Sequence, residues 1–164
     1  MQTTFAEKVL PKGFFPKLGL YVANCSYLER QIWLTIVKVE CLEAGQDEDE
    51  ILQIKKLPTH KLLKRLAKSA EQVPVNLRQR IIDISGHMRR FVDNRHMAIH
   101  GTWFAEGDDY RVEYFRNFGG RKSPDWREYT ETVTGNDIDE AIEDCSRLIC
   151  ELLDVCNQIK RTGF

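Results

Sequence analysis

The sequence predicts a mainly α protein, a four- or five-helix up-and-down bundle with a small antiparallel β-meander inserted before the last helix. Three observations predict this. Apolar residues recur at helical spacing over most of the 164 residues. Proline or glycine at Pro58, Pro74 and Gly101 divides that pattern into separate segments. Between residues 102 and 134 the period changes to alternation around turn residues. The length suits one domain, residues 1–164, with a real core.

Residues 1–17 contain Pro11, Gly13 and Pro16 and are expected to be an irregular lead-in. A long helix over 18–44 follows, because Leu18, Tyr21, Cys25, Leu28, Ile32, Ile36 and Val39 fall on one face, with Gly45 as its stop. Tyr27, Leu34, Val37 and Cys41 make a second apolar stripe, so burial on two sides is expected, by the core and by a second subunit. The stretch "DEDEILQIKKLP" reads as a charged connection or short helix. Thr59 is placed to cap a helix over 60–72 with Leu62, Leu63 and Leu66 inward. After Pro74 a helix over 76–100 carries Leu77, Ile81, Ile84, Met88, Val92 and Ile99 on one side, and Gly101 ends it. Two strands around a Gly-Asp turn occupy "TWFAEGDDYRVEYFRNF", and "WREYTETVT" supplies a third. The last helix, 137–161, opens with Asp137 and Glu140 at capping-box spacing.

Charge is nearly balanced, with 24 basic and 25 acidic side chains, which gives no global attraction to nucleic acid or membrane. Locally, Lys55 to Arg95 holds eleven Lys and Arg against Glu71, Asp83 and Asp93, a surface able to meet a phosphate chain or simply a solvated face. Five cysteines without regular spacing make no disulfide framework and read as small core residues of a reducing, cytoplasmic compartment. No apolar run approaches a membrane span and no leader pattern is present.

The stretch "DNRHMAIHGTW" holds two of the four histidines one helical turn apart, beside an arginine, at a helix end. Leu77 to Arg95 is eighteen positions, five whole turns, so Arg95 falls in the centre of the apolar stripe. An inward guanidinium keeps its charge and needs a carboxylate, a bound anion or a wet cleft. Several readings fit. Arg95 can pair with a carboxylate in a purely structural role. His96 and His100 can hold two metal positions, although Met97 stands where a metalloprotease has glutamate and no third ligand is evident. The same residues can form a passive nucleotide site, or a catalytic one.

"RHMAIH", residues 95–100, resembles the Arg-[Asn/Asp/His]-x3-His signature of the HEPN superfamily, helical bundles with this motif late in a helix. The resemblance implies metal-independent RNA cleavage without a cofactor, in toxin–antitoxin or phage-defence settings. It further implies a homodimer sharing one cleft, RNA as partner, and a protein antitoxin as a further one. Arg95 and His100 carry over as the catalytic pair, with His96 in the polar position after the arginine. Many toxin-type members have tyrosine two residues after the final histidine, where this chain has Thr102. The alternative implied by the same resemblance is a catalytically silent binding or interaction module.

Four further groups bear on this site. Glu29, on the first helix, reads either as an inward carboxylate orienting Arg95 or His100, or as a structural partner. Asn94 precedes the motif and can hydrogen-bond a phosphate or lie on plain surface. Trp103, Tyr110, Tyr114 and Trp126 can stack bases from the meander or pack its core. Lys61, Lys64, Arg65 and Lys68 share a helix face suited to a phosphate backbone or to solvent.

Overall fold

The computed structural model describes residues 9–119 and 122–161, with the backbone alone at 90, 160 and 161. Its described residues form five α-helices, α1 (Phe14–Val39), α2 (Glu48–Lys55), α3 (Thr59–Ser69), α4 (Val75–His100) and α5 (Gly135–Arg161). Strands β1 (Thr102–Glu106), β2 (Asp109–Asn117) and β3 (Trp126–Val133) lie between α4 and α5. They make one antiparallel sheet in the order β1-β2-β3, the predicted meander. No helix of the described residues is long and apolar enough to cross a membrane. Contacts group the chain into two compact units, Asp93–Glu143 with the chain up to Ala23, and Asn24–Val92 with Asp144 onward.

In the sheet unit, α1 begins four residues earlier than the periodicity suggests. Phe14 is fully buried and its ring meets those of Tyr110 at 4.6 Å and Trp103 at 5.1 Å. Pro16 does not interrupt the helix, because the first four N–H groups of a helix lack intrahelical partners anyway. Of the expected lead-in, residues 1–8 lie outside the described residues. Val112, Tyr114, Val133, Met97 and Ile138 complete this core.

The opening of α5 corrects the expected capping box. Thr134, not Asp137, caps the helix: Thr134 Oγ1 accepts from Asp137 N at 3.0 Å, and Asp137 Oδ2 accepts from Thr134 N and Oγ1, each at 2.7 Å. The box therefore sits three residues earlier. Glu140 takes Asn136 Nδ2 instead. The Thr134 backbone and side-chain donors hold the Asp137 carboxyl below its ordinary range. Its contribution to stability is therefore present above the unfolded carboxylate value, about 4, and is lost as pH falls through the lower folded value. An acid titration of the melting temperature in wild type and Asp137→Asn should show a shallower acid fall in the variant.

In the helical unit, α1 and α5 run in the same direction. Cys25 Sγ lies 3.8 Å from Cys145 Sγ near the middle of each helix, and Thr35 Oγ1 lies 3.2 Å from Cys156 Sγ further along both. Leu28, Ile32 and Ile36 of α1, Leu66 of α3, Ile81 and Ile84 of α4, and Leu148 and Leu152 of α5 fill the interior. The cysteine expectation needs correction, since Cys41 and Cys150 are exposed while Cys25, Cys145 and Cys156 are buried. The second stripe on α1 is uneven: Tyr27 and Cys41 are exposed, whereas Leu34 and Val37 are half-buried.

The end of α1 also differs from expectation. The helix stops at Val39, and Cys41 takes the left-handed conformation with φ +54°. Leu42 N donates to Val37 O at 2.9 Å and Cys41 N to Lys38 O at 3.3 Å, the double closure usually built on glycine. A side chain in that conformation costs about 1 kcal/mol or more. Cys41→Gly should therefore raise stability by about 0.5–1 kcal/mol in urea unfolding.

Thr59 is the first residue of α3 and makes no cap; its hydroxyl donates to Glu29 Oε1. Arg65 grips Glu40 through Nε at 3.1 Å and Nη2 at 2.5 Å and reaches Glu50 at 2.6 Å. Burial works against the Glu40 anion, but the hydrogen bonds from Arg65 and Ser69 outweigh it and lower its pKa. Lys61, Lys64 and Lys68 are exposed.

Candidate active site

The motif occupies the last two turns of α4, within the sheet unit. Apolar spacing drives the inward face of these turns, where Met97 and Ala98 are buried. The helix ends at His100 because of Gly101. Gly101 N donates to Met97 O at 2.8 Å, and a Cβ on this glycine would lie 2.5 Å from the same oxygen and closer still to Val112 Cγ2. Only a residue without a side chain lets β1 start directly after the last histidine.

Arg95 is half-buried and its Nε is shielded from solvent. The eighteen-residue spacing thus places it at the margin of the buried stripe. Ile99, expected on that stripe, is exposed.

His96 and His100 are brought together. Their ring centroids are 4.7 Å apart with the planes tilted by 47°. Both are exposed at the helix surface. His96 Nε2 lies 3.2 Å from Phe115 O. A carbonyl only accepts, so Nε2 carries the proton in this bond, and the ring is fixed in orientation. The carbonyl is available because β1 pairs with β2 only as far as Glu113, leaving the following stretch of β2 without a strand on that side. The imidazole pair therefore stands at the edge of the sheet. Asp93, one turn before Met97, pairs with Arg116 of β2 at 3.0 Å and ties α4 to the same strand.

The other predicted residues separate. Arg95 and His100 are five positions apart, roughly 140° round the helix. Asn94 is exposed and lines a cavity on another side of α4. Glu29 belongs to the helical unit, where it accepts the Thr59 hydroxyl. Trp103, Tyr110 and Tyr114 pack into the core of the sheet unit, whereas Trp126 is 62% exposed. Among the described residues no group of three or more His, Cys, Asp or Glu is arranged to hold a metal ion.

Compared with models of protein families, with curated proteins and with solved structures, the chain matches none.

Sequence reasoning missed Phe115 and Arg116. Phe115 acts through its backbone carbonyl, which no residue type announces. The Asp93–Arg116 pair joins residues distant in sequence and becomes visible only once the helix and strand are adjacent.

Proposed function

We propose that this protein is a metal-independent endoribonuclease in which Arg95 and His100 are the reacting pair, His96 a positioning residue, and two copies of the chain form one cleft. The observation that supports the reading most is the paired imidazoles at the end of α4, 4.7 Å apart, one of them held by a backbone carbonyl. Arg95, at HEPN-like spacing from His100 on the same last two turns of α4, adds a guanidinium able to steady a phosphate.

The chemistry follows from the residue types. The 2′-oxygen of a ribose attacks the adjacent phosphorus, forming a new O–P bond as its proton passes to an imidazole. The P–O5′ bond breaks, and the departing oxygen takes a proton from an imidazolium. The product ends are a 2′,3′-cyclic phosphate and a 5′-hydroxyl. Negative charge on the phosphoryl oxygens in the transition state is met by the forked guanidinium of Arg95. One His100 performs one of the two transfers at a time, and a two-fold pair of chains supplies the second. Such an enzyme suits a toxin or phage-defence role with a protein antitoxin as its restraint.

The test is incubation of purified protein with labelled single-stranded and structured RNA in excess chelator. Cleavage is the expected result. Binding without cleavage would overturn the proposal in favour of a silent HEPN-type interaction module.

A further inference from the structure

The sheet unit contains a cavity of about 260 Å³ between α1, α4, β3 and α5. Leu18, Met97, Trp103 and Ile138 supply apolar wall, and Trp103 an aromatic one. Its charged lining among the described residues is of one sign: Glu131 and Asp137, with no lysine, arginine or histidine.

Glu131 is out of place by the logic of the strand. It lies between Tyr129 and Val133 on β3 and opposite Val112 in register, so alternation puts it on the face that packs the core. An apolar residue would extend that face. Instead a carboxylate stands at the cavity, fixed by the Tyr114 hydroxyl at 2.9 Å. Burial, then the hydrogen bond to Glu131, pushes the Tyr114 hydroxyl up to about 12, so it remains a donor. Asp137 is held in place by Thr134. Lys17, next to the wall residue Leu18, is engaged with Asp139 at 2.6 Å. Both carboxylates are exposed to solvent, so the cation of a ligand can reach them from outside while its body meets the apolar wall.

We infer that this cavity binds a small organic cation, an ammonium group on an apolar or aromatic body. The body packs against Leu18, Met97, Trp103 and Ile138. The ammonium meets Glu131 and Asp137, with the Asn94 amide oxygen as a further acceptor and the indole of Trp103 as a π face. The same lining repels phosphate, so the cavity is not a subsite for an RNA backbone. The site is independent of the ribonuclease reading. Asn94 and Ala98 face it, whereas His96 and His100 lie two positions further on each, roughly 200° round α4.

Calorimetric titration of the full chain with tryptamine and phenethylamine, and with the anions indole-3-acetate and phenylacetate, tests the inference. The amines are expected to bind and the acids of matching shape to bind at least about tenfold more weakly, the size of one charge-assisted contact. Glu131→Gln, which keeps an acceptor for Tyr114, should weaken the amines by about tenfold. Equal binding of amine and acid by wild type, no binding of either amine, or unchanged amine affinity in a folded Glu131→Gln protein would overturn it. The wild-type comparison stands whether or not the variant folds. RNA cleavage is a separate readout and is not expected to change.

Discussion

Replacing His100 with alanine is expected to lower RNA cleavage by about a hundredfold to ten-thousandfold, the range for losing a positioned general acid or base. The melting temperature should stay within about a degree of wild type, because an exposed side chain at a helix end contributes little to stability. Arg95→Ala should lower cleavage by about a hundredfold to a thousandfold through the transition-state phosphate. It should also reduce stability measurably, since this side chain is half-buried. His96→Ala is expected to lower cleavage less than either. It removes the bond to Phe115 O and frees the neighbouring ring without deleting a reacting group. A His100→Ala protein as active as wild type would remove the histidine from the chemistry.

The largest structural effect is expected at Gly101. An alanine there sets its Cβ 2.5 Å from Met97 O and even nearer to Val112 Cγ2. Neither neighbour can give way cheaply. Met97 O accepts the hydrogen bond that closes α4, and Val112 is fully buried in the core of the sheet unit. Overpacking of this kind costs about 3 kcal/mol, which corresponds to a fall of about 6–12 °C in melting temperature for a chain of this size. Thermal and urea unfolding of Gly101→Ala check it. A variant that melts with wild type would show that β1 does not leave α4 in the way described. Activity should fall along with stability, because the junction sets the position of His100.

The long helices and the meander were legible because burial imposes its own period. Leu77, Ile81, Ile84 and Met88 repeat at 3.6 residues and all four are buried. Boundaries were less legible, for local reasons. Cys41 adopts a conformation usually left to glycine, so the signal at Gly45 pointed past the true end of α1. Phe14 is helical because tertiary contact with Trp103 and Tyr110 outweighs the warning of Pro11, Gly13 and Pro16. Thr134 and Asp137 carry the same capping spacing as Asp137 and Glu140, and geometry chooses between them.

The imidazole pair was legible because residues four apart share a helix face. Glu29 was not, since its partner Thr59 comes from another helix and is thirty residues away. The carboxylate at the cavity left a signal that alternation alone provides: Tyr129, Glu131 and Val133 must share a face. Reading that signal requires knowing which face of β3 is buried.

In the proposed reaction RNA is cut by its own 2′-hydroxyl with side chains as the only proton carriers. Identification of the product termini after cleavage in chelator tests it most directly. Wild type should leave 2′,3′-cyclic phosphate and 5′-hydroxyl ends, and His100→Ala should leave none. Ends bearing 5′-phosphate, or cleavage that stops when chelator is added, would contradict it.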